Sequence, residues 1–139
     1  MNMPPKFKVV IAGGRTFNNF DMLIGRLDAV LVSKITTHTI VIISGGAQGA
    51  DLLGERYAEL RSYEAERFIP AWKDISVEGA VVRDNKYGKY NAVAGHTRNE
   101  KMAQCCDAVV LFWDGISKGT LDMKKRAENH NKPVRVCKY

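Results

Sequence analysis

Short apolar runs of strand length alternate with longer amphipathic stretches along almost the entire chain. The apolar runs are residues 7–13, 38–46, 64–71, 107–115 and 132–138. The stretches with helical periodicity are residues 20–34, 49–62, 97–105 and 119–131. Runs rich in valine, isoleucine and leucine are typical of strands that are buried on both faces. The alternation predicts a single Rossmann-like α/β domain of three layers, with a five-stranded parallel sheet of order 3-2-1-4-5 and helices on both faces.

The chain has the size and composition of one soluble domain. Its 139 residues suffice for one hydrophobic core, so we expect a single domain over residues 1–139. No apolar run approaches the roughly 20 residues needed to cross a bilayer, so no membrane partner is expected. The N-terminal segment lacks signal-peptide character, and the three cysteines, two of them adjacent, fit no disulfide framework. A cytoplasmic location follows as an expectation.

Residues 72–96 interrupt the alternation. This segment is polar, contains glycine and shows no clean periodicity, which is unusual inside so small a domain. Such long connections often carry function. We expect it to close over a ligand.

The formal net charge of +6 favours an anionic partner. Charge alone does not decide between a nucleotide, a nucleic acid and an acidic protein. The densest basic cluster, Lys124-Lys125-Arg126, lies in a predicted helix, where a solvated helix face accounts for it.

Glycine-containing loops follow the first, second and fourth predicted strands. They read AGGRTF, SGGAQGAD and DGISKGT. In the predicted strand order these three strand ends are neighbours, and ligands of open α/β sheets bind at the carboxyl ends of strands. Each loop leads toward a helix N-terminus, which attracts phosphate and other anions. The sequence therefore predicts an anion-binding cleft, although glycine pairs also occur simply in tight turns.

Candidate ligand contacts lie in and beside these loops. Arg15 offers bidentate geometry for a phosphate or a base. Ser44 and Thr120 can either hydrogen-bond a phosphate or cap the following helices. Asp51 can either bind a ribose hydroxyl or favour the helix dipole. The full set of candidate ligand-binding residues is Gly13, Gly14, Arg15, Ser44, Gly45, Gly46, Asp51, Arg98, Asn99, Lys118, Gly119 and Thr120.

Other known signatures are missing from the sequence. Neither the G-x-G-x-x-G dinucleotide motif nor the G-x-x-x-x-G-K-[ST] P-loop occurs, so no standard cofactor is indicated. The three histidines are scattered without neighbouring ligands, so no metal site is predicted. Trp72 and Trp113 can stack on a base, although Trp113 is expected to pack in the core. A helix is expected to begin near Thr97, with Glu100 completing a capping box.

Five ordered segments, AGGRTF, SGGAQGAD, FIPAW, AGHTRNEKM and DAVVLFWDGISKGTLDM, resemble the YspA/YpsA-related branch of the SLOG superfamily. This superfamily of Rossmann-like domains also includes the Lonely Guy proteins and the DNA-processing protein Smf. The resemblance implies a nucleotide-derived ligand held by the loops after the first, second and fourth strands, and a bacterial or phage source. Since Lonely Guy proteins pair as dimers, it also implies a homo-oligomer.

The resemblance leaves open whether the ligand is bound or hydrolysed. Lonely Guy enzymes hydrolyse the N-glycosidic bond of nucleoside 5′-monophosphates with a P-G-G-x-G-T-x-x-E motif and an upstream arginine. Here Gly119-Thr120 is retained, but Met123 stands in place of the glutamate. The candidates for catalysis are Arg98, Asp122 and Asp51. Binding or sensing of the ligand is therefore favoured over hydrolysis, and DNA binding, as in Smf, is a further alternative that rests on charge and kinship.

Overall fold

The computed structural model describes residues 3–139, and its main feature is a five-stranded parallel sheet. The strands are β1 (Lys6–Gly13), β2 (Thr39–Ser44), β3 (Glu64–Arg67), β4 (Val82–Asn85), β5 (Gly88–Asn91), β6 (Ala108–Trp113) and β7 (Val134–Lys138). The helices are α1 (Phe20–Leu31), α2 (Ala50–Arg61), α3 (Ala94–Cys105) and α4 (Lys118–Asn129). The sheet has the order β3-β2-β1-β6-β7, which confirms the predicted fold class and strand order. Residues 1 and 2 of the predicted domain lie outside the described residues.

The sheet is covered by helices on both faces. Alternate residues of β1 point to opposite faces, so Val9 and Ile11 pack with α1 and α2, while Val10 packs with α3 and α4. The buried stripe of α1 is Leu23, Leu27 and Leu31, at helical spacing. Within the described part of the chain, no helix has the length and apolar character needed to cross a membrane.

The third strand of the sheet is shorter than predicted. It ends at Arg67, not at residue 71. Phe68 still donates its backbone N–H to the Ser44 carbonyl at 2.8 Å. Pro70 has no N–H to continue the ladder, and Ile69 is 59% exposed. The chain therefore leaves the sheet just before the long 72–96 segment.

The 72–96 segment contains a β-hairpin. Strands β4 and β5 pair antiparallel, and Asn85 pairs with Gly88 across a two-residue turn. The Asn85 Oδ1 accepts the backbone N–H of Tyr87 at 2.8 Å, and Gly88 has a φ of +105°. The turn residues Lys86 and Tyr87 lack the Asn-Gly signature of hairpin turns, so the sequence pattern did not reveal it.

Helix α3 begins at Ala94, so the predicted start near Thr97 is wrong. The Asn91 side chain accepts the backbone N–H of Val93 at 3.1 Å and thereby fixes the entry to the helix. The Thr97 hydroxyl donates to the Val93 carbonyl at 3.2 Å and therefore does not cap the N-terminus of the helix. Arg98 consequently lies in the second turn of α3, whereas a helix that begins near Thr97 would have placed it in the first turn.

A buried tyrosine on α2 is tied to α1 by one hydrogen bond. The Tyr57 ring is fully buried, and its hydroxyl donates to Asp28 Oδ1 at 2.6 Å. Because Asp28 is partly exposed, we expect Tyr57→Phe to lower the free energy of unfolding by only about 1–2 kcal/mol. Urea denaturation measures this loss. Tyr87→Phe, at a 73% exposed position, is the control that should leave the midpoint unchanged; equal midpoints for both variants would contradict a stabilising bond.

Candidate ligand-binding site

The loops after β1, β2 and β6 meet at the carboxyl edge of the sheet and enclose a cleft of about 380 Å³. We call it the loop cleft. Helix α3 forms its remaining wall. Its lining residues are Ala12, Gly13, Gly14, Arg15, Thr16, Ala47, Asp51, Arg98, Asn99, Met102, Asp114, Ser117, Gly119, Thr120 and Met123.

The loops after β1 and β2 touch through their backbones. The Gly14 N–H donates to the Phe112 carbonyl of β6 at 2.9 Å, and the Gly14 carbonyl accepts the Ala50 N–H at 3.2 Å. Gly49, directly before α2, has a φ of +82°. A Cβ at Gly49 would collide with the Gly14 carbonyl oxygen and with the backbone of Arg15. Glycine at position 49 thus permits the close approach of the two loops.

Arg15 is exposed at the rim of the loop cleft. Among the described residues it forms neither an ion pair nor a hydrogen bond through its side chain. It also lines a smaller pocket of about 240 Å³, whose walls include Gly45 and Gly46. The guanidinium is therefore available to an anion entering from either side.

Arg98 holds the second loop in place from α3. Its Nη1 donates to the Gly45 carbonyl at 2.6 Å, and its Nε donates to Asn99 Oδ1 at 2.9 Å. Burial lowers the pKa of Arg98, and the nearby Asp51 carboxylate opposes that shift. The side chain therefore supports the loop and at the same time places positive charge in the cleft wall.

Asp51 is a carboxyl group buried in the loop cleft, with only 5% of its surface exposed. Its Oδ2 accepts the Ala47 N–H at 3.3 Å. Burial raises the pKa of Asp51 to about 6, although the hydrogen bond from Ala47 and the charge of Arg98 act in the opposite direction. A carboxyl group of this kind can accept a hydrogen bond from a hydroxyl group or exchange a proton near neutral pH.

Asp122 is engaged by neighbouring side chains and does not line the loop cleft. It accepts hydrogen bonds from Asn99 Nδ2 and Arg126 Nε, both at 3.0 Å, and lies 3.2 Å from His96 Nδ1. Burial acts to raise the pKa of Asp122, but the hydrogen bonds from Asn99, Arg126 and His96 outweigh it and lower the pKa. The Asp122 carboxylate is thus already engaged in contacts with protein side chains.

The loop after β6 is shaped by Asp114 and Ser117. Asp114 Oδ1 accepts the backbone N–H groups of Ile116 and Ser117 at 2.8 and 2.9 Å. Ser117 is the N-cap of α4, and its Oγ accepts the Thr120 N–H at 3.4 Å. The predicted alternative of Thr120 as a helix cap is therefore wrong; Thr120 is 4% exposed, and its hydroxyl bonds to Ser117 Oγ at 3.0 Å.

The remaining predicted contacts lie off the cleft wall. Ser44 is fully buried, with its Oγ 2.7 Å from Glu55 Oε2 and accepting the Gly46 N–H at 3.0 Å. It supports the second loop and does not cap α2, whose N-cap is Gly49. Lys118 is exposed at the start of α4 and does not line the cleft. Trp113, expected in the core, is only partly buried and donates Nε1–H to the Ser117 carbonyl at 3.0 Å.

Several cleft residues were not singled out from the sequence. They include Thr16, Ala47, Met102, Asp114 and Ser117. The sequence did contain a signal for Asp114 and Ser117. The pattern Asp-Gly-x-Ser is typical of a turn that leads into a capped helix. For Met102 no signal existed, since its position in the cleft wall depends on how α3 and α4 pack. No group of histidine, cysteine and acidic side chains within residues 3–139 is suited to hold a metal ion.

A parallel sheet of this order, with three loops meeting at its carboxyl edge, defines a Rossmann-like α/β domain. Residues 7–74 match the model of the YspA, cpYpsA-related SLOG family, so this part of the chain is similar to that family. The match confirms the resemblance that the sequence motifs indicated. The search of curated proteins found no match.

Solved structures show the same fold over nearly the whole chain. DNA processing protein A from Streptococcus pneumoniae has a TM-score of 0.64 at 17% identity, covering 95% of this chain and 50% of that one. DNA processing protein A from Helicobacter pylori, described for its single-stranded DNA binding, has a TM-score of 0.63 at 20% identity, with 96% and 65% covered. The protein TM1055 has a TM-score of 0.57 at 19% identity, with 94% and 72% covered. The chain therefore spans between half and two-thirds of the two DNA processing proteins.

Proposed function

We propose that this protein binds or senses a nucleotide-derived ligand in the loop cleft. The observation that carries the proposal is the convergence of three strand-to-helix loops on one cleft, whose rim holds Arg15 without a side-chain partner among residues 3–139. Backbone N–H groups at a helix N-terminus, together with an arginine, are the usual means of holding a phosphate. The phosphate would lie between Gly13-Gly14 and the start of α4.

The acidic side chains of the cleft limit where a phosphate can lie. Asp114 faces the cleft, but its Oδ1 is occupied by two backbone N–H groups. Asp51 lies deeper, beside Arg98. A carboxylate repels a phosphate but accepts hydrogen bonds from sugar hydroxyls. The proposed orientation therefore has the phosphate at Arg15 and the ribose at Asp51.

Hydrolysis of an N-glycosidic bond is the second candidate function. The observation in its favour is Asp51, because a buried carboxyl group in a cleft with a pKa near 6 has the properties of a general acid or base. Asp122 is a poorer candidate because it is committed to Asn99 and Arg126. Met123, in place of a glutamate, lies on the cleft wall and offers no proton-transfer group.

A ligand screen separates the two functions. Thermal unfolding would be measured with AMP, ADP-ribose, NAD, GTP and cyclic nucleotides, and each mixture would then be analysed by chromatography for released base. A raised unfolding temperature without released base supports binding or sensing. Released base would identify the protein as a hydrolase. If no nucleotide shifts the transition, the proposal fails.

DNA binding, the third function class, is tested by gel shifts at two salt concentrations. The net charge of +6 is compatible with it, and affinity for a nucleic acid backbone should fall steeply as salt rises. The similarity to the DNA processing proteins, at 17% and 20% identity, concerns the fold and does not show whether this protein binds DNA.

Arg15→Ala is expected to weaken binding of the nucleotide identified in the screen by at least tenfold, because charge-assisted hydrogen bonds to the phosphate are lost. Isothermal titration calorimetry measures the affinity. Since the Arg15 side chain has no hydrogen-bond or ion-pair partner in the part of the chain that the structure describes, the unfolding temperature without ligand should not change. Arg26→Ala removes the same charge from the exposed side of α1 and is the matched control. Equal affinities of the two variants would refute the role of Arg15.

A further inference from the structure

A second, open pocket of about 580 Å³ adjoins the loop cleft across Arg15. We call it the hairpin pocket. It lies between the β4–β5 hairpin and the segment that follows β3. Its lining residues are Arg15, Trp72, Lys73, Asn85, Tyr87 and Tyr90. Three aromatic rings, two cations and one amide thus surround this space, and no carboxylate is among the described residues that line it.

The aromatic rings are held by the fold while remaining accessible. The Trp72 carbonyl accepts the Asn91 N–H at 2.6 Å. The indole ring of Trp72 packs against Gly95, and a Cβ at position 95 would lie 3.2 Å from that ring. Tyr90 supports the indole from the side, with ring centroids 6.5 Å apart at 64°. Trp72 is nevertheless 39% exposed. One side of the indole is therefore covered by packing, and part of the remaining ring surface is open to the hairpin pocket.

The hairpin tip carries an aromatic ring that has little packing role. Tyr87 is 73% exposed, and the ammonium group of Lys86 lies 5.0 Å from its ring centre. Lys73 Nζ donates to the Tyr87 carbonyl at 3.1 Å and ties the tip to the chain beside Trp72. The tip is thus fixed close to the indole in spite of its exposure.

The charge around the hairpin pocket is positive. Residues 82–91 contain three basic side chains, Arg83, Lys86 and Lys89, and one acidic side chain, Asp84. Lys73 and Arg15 add positive charge inside the pocket. Exposed aromatic rings interleaved with cations are the combination that binds nucleobases and their phosphates together.

We infer that the hairpin pocket is a stacking subsite for a second nucleobase, so that the ligand contains two nucleotide units joined through phosphate. This inference rests on the proposed function of the loop cleft. The first unit occupies the loop cleft, the linking phosphate lies at Arg15 between the two pockets, and the second base stacks on Trp72 and Tyr87. Both a free dinucleotide and the 5′ end of a single strand have this chemistry.

Calorimetric titration at fixed ionic strength tests the inference with AMP, the 5′-phosphorylated dinucleotide pApA and a 5′-phosphorylated single strand of 12 nucleotides. Base stacking on aromatic side chains should make pApA bind roughly 5- to 100-fold more tightly than AMP. The double variant Trp72→Leu/Tyr87→Ser should lose this gain while its affinity for AMP stays unchanged. Leu60→Ser, at a 52% exposed apolar position on α2, is the control and should retain the gain.

Fluorescence gives an independent readout. The chain has two tryptophans, so Trp113→Phe leaves Trp72 as the only one. Stacking of a base on Trp72 should quench its emission with pApA and not with AMP. Quenching by AMP to the same extent would contradict the assignment of the second base to this pocket.

The outcomes separate this inference from the proposed function. If AMP binds and pApA binds no more tightly, the second subsite is refuted and the loop cleft stands. If neither binds wild-type protein, both are refuted. If pApA alone binds measurably and the double variant abolishes its binding, the inference is supported. A further gain with the 12-nucleotide strand would identify a strand end as the ligand, whereas equal affinity would identify a dinucleotide.

Discussion

Gly49→Val is expected to lower the free energy of unfolding by about 2–4 kcal/mol and to remove ligand binding. At a φ of +82° a β-branched residue is strained, which costs roughly 1–3 kcal/mol. The added side chain would also collide with the Gly14 carbonyl and the Arg15 backbone. The loops after β1 and β2 would have to separate, which would displace Arg15 from the rim of the loop cleft. Urea denaturation and calorimetric titration measure the two effects.

Gly25→Val is the matched control for this substitution. Gly25 is exposed in α1, and a Cβ there would meet no other atom within 4 Å. Because glycine is a poor helix former, valine at this position should leave stability unchanged or raise it by a few tenths of a kcal/mol. Comparable losses in Gly25→Val and Gly49→Val would show that the close approach of the two loops has no energetic importance.

Asp51→Asn is expected to change how stability depends on pH. The pKa of Asp51 is about 6 in the folded protein, above its ordinary value of 3.8. The folded state therefore binds this proton more tightly than the unfolded state. The resulting stabilisation is complete below pH 3.8 and is lost as the pH rises through about 6. Above pH 6 the wild-type protein bears the full cost of a buried charge.

Asparagine cannot ionise, so this cost disappears in the variant. Between pH 4.5 and pH 8 the unfolding free energy of Asp51→Asn should therefore rise by about 2 kcal/mol relative to that of the wild-type protein. Any lost hydrogen bond shifts the difference equally at both pH values and leaves the slope intact. Denaturation at several pH values measures it, with the exposed Glu59→Gln on the same helix as control. A flat difference would show that Asp51 is not desolvated as described.

The sheet could be predicted from the sequence because its strands are strongly marked. The valine and isoleucine runs of β1, β2 and β6 are buried on both faces, and right-handed crossovers leave few orders for such a chain. The hairpin could not be predicted, because Lys86 and Tyr87 form its turn without the usual residues. The start of α3 was misplaced because Asn91, which fixes it, lies inside the preceding strand.

The candidate site was predictable only in part. Glycine pairs marked the loops, and strand order placed the loops together. The placement of Arg98 near Asp51, by contrast, depends on its contact from α3 with the Gly45 carbonyl, 53 positions away in the chain. Sequence patterns that extend over a few residues give no information on a contact between positions so far apart in the chain. For the same reason the commitment of Asp122 to Asn99, 23 positions away, could not be foreseen.

The charged edge strand β3 limits how copies of this chain can associate. Its residues Glu64 and Glu66 are paired within the molecule to Lys6 and Lys8, at 3.4 and 3.2 Å. Two copies joined edge to edge through β3 would bring these carboxylates together and disturb the internal pairs. Continuous ten-stranded sheets formed through β3 are thereby disfavoured. A symmetric dimer of this domain is therefore expected to use a surface other than the β3 edge.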